Sequence, residues 1–170
     1  MALDGSDQFN WDEITVFTAW NFPSANTWTT LFGRSGANNS ATAASWLFMA
    51  RRADLTPPYY RFRINGPTTA TAPDINTAYS AQIKSANILV LRYNGSNQRA
   101  YLNGNTVANY SFTDGMRDTN YRLTLGGEDD AGGGAGNLDF SEFLVFKNAL
   151  SDADVNVIEG YLAHKWGLLD

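Results

Sequence analysis

The chain has 170 residues, 44% of them hydrophobic and only 17% charged, with a formal net charge of -5 and no cysteine. That length buries one sizeable core without disulfide staples, and the acidic balance provides no basic field for a phosphate backbone, which argues against a nucleic-acid partner. No stretch reaches the ~18 apolar residues of a membrane span and MALDGSDQF lacks the regions of a signal peptide, so a single soluble domain over residues 1–170, with no membrane insertion and no export signal of its own, is expected.

Strand signals then recur at short intervals, with polar punctuation between them. ITVFTAW (Ile14 to Trp20) is rich in β-branched and aromatic residues, and TTLFGRS, SWLFMARR and YYRFRING follow it, separated by GANNSATAA and ADLTPP. The stretch from Gly66 to Ala81 reads as loop. From Asn87 to Phe112 the order is strand, Asn94-Gly95, strand, Asn103-Gly104, strand. Asn-Gly supplies the positive φ angles of tight hairpin turns, so a three-stranded antiparallel meander is expected. YRLTLGG and LDFSEFLVF add two more strands.

The last segment carries helix signals instead. Ser151 stands at an N-cap position with Asp154 three residues on, and Leu150 can staple against Val155. Val155, Ile158, Leu162 and Trp166 form one apolar stripe with Tyr161 beside it, so the helix is expected to lie on a sheet. Gly160 inside it costs about 1 kcal/mol of helix propensity, which implies close packing there, and Gly167 is placed to end it. Many short antiparallel strands with one terminal helix describe an all-β protein, a two-sheet antiparallel β-sandwich with one C-terminal α-helix. Trp11, Trp20 and Trp166 are assigned to its core.

Three stretches carry a family resemblance. ALDGSDQF with ITVFTAW is similar to the opening strands, NILVLRYNGSNQRAYLNGNTV to the central hairpins, and LTLGG with FSEFLVFKNALSDADVNVIEGYLAHKWGL to the closing strand and helix, of laminin G-like members of the concanavalin A-like lectin and glucanase superfamily. The resemblance implies a jelly-roll sandwich, and among bacterial, marine and phage-borne members it implies binding or assembly roles.

Catalysis is not expected. Glucanase members of that superfamily alternate two glutamates and an aspartate along one strand, because glycoside hydrolysis needs a carboxylate pair about 5–9 Å apart. Here Glu13, Glu128, Glu142 and Glu159 are scattered. There is no cysteine, no Gly-x-Ser-x-Gly elbow, and one histidine, His164, placed late in the helix where a cation meets the helix dipole favourably. Glu142 alternates with Phe140, Leu144 and Phe146 and so points where apolar residues point. Such an acid needs a partner, and Lys165 or His164 can tie the last strand to the helix through it. Arg51, Arg52, Arg61 and Arg63 cluster, but solvated strand faces explain them. Three Asn-x-Ser sequons at Asn38, Asn94 and Asn109 reflect the abundance of asparagine.

Residues 126–137, GGEDDAGGGAGN, set three consecutive acids among six glycines. A phosphate loop is excluded, since Gly-Lys-Ser/Thr and a following helix are both missing. Composition favours a hairpin loop over a calcium site. Calcium nonetheless takes hard oxygen ligands from flexible loops, and laminin G-like relatives often bind it at the sandwich rim. If calcium is the cofactor, Glu128, Asp129 and Asp130 are the ligands, with Asn137 or Asp139 closing the site. Carbohydrate recognition needs an aromatic face beside hydrogen-bonding groups, and Trp28, Tyr59, Tyr60, Asn120 and Tyr121 are the candidates, Trp28 foremost because polar residues surround it.

Two functions are therefore expected in competition. One is a non-catalytic carbohydrate-binding module for adhesion or receptor recognition, with a glycan or a cell-surface protein as partner. The other is a virion component, a capsid decoration or tail-fibre part, in which the sandwich forms a homo-oligomer or larger assembly. Both place the chain outside the cell or in a virion.

Overall fold

A computed structural model describes residues 2–3, 9–21, 29–35, 44–50, 59–68, 75–78, 86–127 and 139–168. Among them are eleven strands and one helix: β1 (Ala2–Leu3), β2 (Ile14–Asn21), β3 (Thr29–Ser35), β4 (Ala44–Ala50), β5 (Tyr59–Ile64), β6 (Ile75–Ala78), β7 (Asn87–Tyr93), β8 (Asn97–Leu102), β9 (Asn105–Ser111), β10 (Leu123–Leu125), β11 (Asp139–Phe146) and α1 (Asp152–Lys165). They form two antiparallel sheets, ordered β1-β10-β3-β4-β5-β6 and β11-β2-β7-β8-β9.

The expected sandwich is present. Leu31, Phe32, Phe62, Ile64 and Leu123 of the first sheet share one buried cluster with Val16, Trp20, Leu89, Leu91, Tyr93 and Leu102 of the second. A second cluster lies on the other face of the five-stranded sheet, where Phe17, Ala19, Ile88 and Val90 meet Val155 and Leu162 of α1. Strands β2 and β7 are thus covered on both faces. That is why ITVFTAW and NILVLRY read as continuous apolar runs rather than alternating ones. β9, at the sheet edge, is mostly exposed.

The helix signals hold at both ends. Ser151 Oγ accepts from the Asp154 N–H at 3.1 Å, and Gly167 adopts φ 69 just past the Trp166 cap. The approach to the helix is tied to β2: Thr15 Oγ1 donates to Asn148 O and accepts from the Leu150 N–H, while Glu13 accepts from the Ala149 N–H.

Four expectations need correction. Ile75–Ala78 is a strand within the stretch read as loop. Among the described strands it pairs with β5 alone, and a short edge strand needs little apolar signal. Asn103 and Gly104 have φ 49 and 78, a tight two-residue turn, whereas at Asn94-Gly95 only the glycine is positive. There the loop spans three residues and the Asn94 carboxamide accepts from the Ser96 and Asn97 N–H groups. Gly160 is not closely packed, since a Cβ built on it would meet nothing within 4 Å. Finally, the β2–β11 register shifts between Phe140 and Glu142. The bulge breaks the alternation, so Phe140 joins Phe143 and Val145 in the sandwich core, while Leu144 and Phe146 face the helix.

Candidate functional site

Strand register sorts the candidate residues between the two ends of the sandwich. Leu125 pairs with Phe32, Thr29 with Ala50, and Ala50 with Tyr60. In the other sheet Asp139 pairs with Asn21 and Leu89 with Leu102. The sheets meet in phase here, because Gly126 lies beside the Phe140 ring. Tyr59 and Tyr60, the start of β3, Gly126–Gly127 and Asp139 therefore occupy one end. The Asn103–Gly104 turn and the last turns of α1 lie at the same end.

Asn120 and Tyr121 sit at the opposite end, in the segment before β10. That segment is held by Arg34, a fully buried arginine. Its Nε donates to Tyr121 O at 3.0 Å, its Nη1 to Asn10 Oδ1 at 2.6 Å, and its Nη2 to Thr119 O. The Phe9 ring lies 5.8 Å from the guanidinium carbon. Nearby, Asp114 accepts from the Thr68 N–H and hydroxyl, and the Arg117 N–H donates to Asn65 O. The Asn120 and Tyr121 pair thus belongs to a tightly bonded corner, with Asn120 exposed and Tyr121 half-buried.

Trp28, Glu128, Asp129, Asp130 and Asn137 lie outside the described residues, as do Arg51 and Arg52 of the arginine cluster. Of the possible calcium ligands Asp139 alone is described, exposed at the start of β11. Among the described residues no three acids or histidines gather as a metal site would require.

Two glutamates on the helix side behave differently. Glu142 Oε2 accepts from Lys165 Nζ at 2.8 Å and from Trp166 Nε1 at 3.1 Å, the tie expected from the sequence. The hydrogen bond from Lys165 is the main reason its carboxyl is held below the usual range, and Lys165 is raised in return. Glu142 is half-buried rather than enclosed, on the helix side of β11 with Leu144 and Phe146.

Glu159 was not singled out by sequence reasoning. It is 7% exposed and accepts one hydrogen bond, 3.1 Å from the Gly104 N–H. Burial pushes its carboxyl above the usual range, opposed in part by that hydrogen bond. Beside it an open cleft of about 250 Å³ separates α1 from the Asn103–Gly104 turn. The signal was available: Val155, Glu159, Leu162 and Trp166 follow helical spacing, so an acid interrupts the apolar stripe.

Comparison with known proteins fits this architecture. The sialidase NanB from Streptococcus pneumoniae superposes with a TM-score of 0.71 at 17% identity, over 92% of this chain and 26% of that one. The binding domain of botulinum neurotoxin DC, solved with rat synaptotagmin II, gives 0.64 at 16% identity over 91% of this chain and 37% of that one. A botulinum neurotoxin type C structure, whose cell entry depends on two ganglioside molecules, gives 0.61 at 15% identity over the same shares, 91% and 37%. The chain thus spans between a quarter and two-fifths of the length of these structures, and likeness at such identity shows the fold. No curated protein matches the sequence significantly. A laminin G family model covers residues 2–156, and the chain belongs to that family within the concanavalin A-like lectin/glucanases superfamily.

Proposed function

We propose that the protein is a non-catalytic carbohydrate-binding module for adhesion or receptor recognition, with its glycan site at the end of the sandwich that carries Tyr59, Tyr60 and Asp139. The observation behind this reading is the register: Tyr59 and Tyr60 open β5 at the end where the acidic glycine segment joins β10 to β11 and where β3 begins just after Trp28. Aromatic residues beside convergent carboxylates and amides are what a sugar requires, a C–H face to stack and hydroxyls to bond. The ganglioside-dependent toxin of the same fold supports the class of ligand. Calcium held by Glu128, Asp129 and Asp130, with Asn137 or Asp139, would order that edge and supply a hard cation for sugar hydroxyls.

The virion-assembly reading draws on the exposed Val157 and Tyr161 of α1, 72% and 53% accessible. Among the described residues Tyr110 on β9 is the one other exposed large hydrophobic, and single side chains of this kind define no apolar interface centre. The register at the Tyr59–Tyr60 end favours the glycan reading.

The test is a glycan array on metal-stripped protein with and without calcium, repeated for Trp28→Ala, for the Tyr59→Ala/Tyr60→Ala pair, and for Asn120→Ala at the other end. A signal abolished by the first two variants and kept by the third is expected. Absence of any glycan signal in both conditions, or loss only with Asn120→Ala, would overturn the assignment. Calorimetric calcium titration of the wild type and of Asp129→Asn/Asp130→Asn reads the metal separately.

A further inference from the structure

Glu159 is the one buried acid among the described residues. Glu142 is matched by Lys165 and Asp152 by Arg92, but no cationic side chain among the described residues comes within ion-pair distance of Glu159. A carboxylate largely withdrawn from water, reached only through a cleft and without a counter-charge, is costly, and native structures hold such groups where something else supplies the partner.

What surrounds it defines that partner. The cleft has apolar walls in Ile88, Ala163 and Leu168, and polar ones in Asn156, Glu159 and Asn103, whose Oδ1 is already taken by the Ile88 N–H. It is open at Gly160, where a Cβ would meet nothing within 4 Å. A calcium or magnesium ion takes six or more oxygen ligands and does not fit one carboxylate between aliphatic walls. An anion is repelled. An ammonium group offers three N–H donors, which the Glu159 carboxylate and the Asn156 carboxamide oxygen can accept. The apolar walls suit the carbon skeleton attached to it.

We infer that this cleft binds a small ligand bearing a protonated primary amine, its ammonium paired with Glu159 and its carbon body laid along Ile88, Ala163 and Leu168. The proposal shares no residue with the glycan site and stands or falls independently of it.

Amide-resolved NMR titration of the full chain tests it, with butylammonium chloride and glucosamine hydrochloride as probes. Their uncharged counterparts, 1-butanol and N-acetylglucosamine, serve as controls. The Gly104 amide is the reporter, since its N–H is bonded to Glu159 Oε1. Two variants accompany the wild type. Glu159→Gln keeps an acceptor for Gly104 and removes the charge. Gly160→Met extends into the open space while improving helix propensity, so it plugs the cleft in a folded protein.

The expected result is a saturable millimolar shift at Gly104, Gly160 and Ala163 with at least one amine, about tenfold weaker or more in both variants, and none with that amine's uncharged counterpart. The tighter of the two amines distinguishes an alkyl amine from an amino sugar as the natural body. No shift with either amine, undiminished binding by either variant, or equal binding of the uncharged counterpart overturns the inference.

Discussion

Lys165 donates to Glu142 Oε2 across 23 residues of chain, and Trp166 Nε1 shares the same oxygen. One carboxylate on the last strand therefore fixes the final turn of α1 against the five-stranded sheet. It does so from a half-exposed position, which makes it a latch rather than a core contact.

Glu142→Ala is expected to lower the melting temperature by roughly 2–4 °C and to leave glycan and amine binding unchanged. The pH dependence has a definite sign. The folded carboxyl is held below its unfolded value, so its contribution is present above the unfolded pKa and is lost as pH falls through the folded one. Melts of both proteins should converge on acidification. A Glu142→Ala protein that melts with the wild type near neutral pH would remove the latch.

Arg34→Met retains most of the buried volume but withdraws the donors from Tyr121 O, Thr119 O and Asn10 Oδ1. Asn10 Oδ1 keeps the Thr119 N–H, so the part-buried Tyr121 and Thr119 carbonyls are the acceptors that lose a donor. At about 1–3 kcal/mol each, a loss of roughly 2–4 kcal/mol is expected. Chemical denaturation measures it, and hydrogen exchange should quicken at the Thr119 amide, which is bonded to Asn10. Unchanged exchange at Thr119 would mean that the corner does not depend on the arginine.

Asn103 combines two roles in one residue. Its φ of 49 suits the tight turn, and its Oδ1 accepts from the Ile88 N–H at 2.8 Å. Asn103→Gly keeps the turn and loses the bond, whereas Asn103→Ala loses both. The expected order of stability is wild type, then Gly, then Ala, with steps of about 1 kcal/mol; equilibrium unfolding that inverts Gly and Ala would refute the turn argument.

The sandwich was legible because its signals are local. Apolar runs bounded by Gly, Asn and Pro mark β2, β3, β5 and β7, and Ser151 with Gly167 brackets the helix. Features set by tertiary register were not. Nothing in FSEF announces a bulge, which depends on how Ser141 opposes β2, and Ile75–Ala78 becomes a strand only because β5 offers an open edge. The same limit applies to the site. Residue type marks Tyr59, Tyr60, Asn120 and Tyr121 as candidates for sugar binding, but the sequence does not say which end of a strand a loop joins. Register separates the first pair from the second. Glu159 was visible as an acid in an apolar stripe, yet only the fold reveals that no cation among the described residues answers it.

Glu159→Gln should make the protein more stable near neutral pH. Burial raises the folded carboxyl above its unfolded value, and the Gly104 hydrogen bond offsets this only partly. The stabilising share of this group is therefore fully present below the unfolded pKa of about 4.3 and is lost as pH rises through the higher folded value. Wherever its carboxyl is ionised the wild type holds a buried charge that no cation among the described residues answers, which the glutamine removes while its oxygen still accepts from Gly104. A gain of roughly 1–2 kcal/mol is expected, shrinking toward about pH 4 as the wild-type carboxyl takes up its proton. This slope is opposite to that of Glu142→Ala, so paired melts across the same pH range separate the two acids. A Glu159→Gln difference that stays flat with pH would show that Glu159 ionises as it would in water, and would remove the desolvated charge that the cleft is built around.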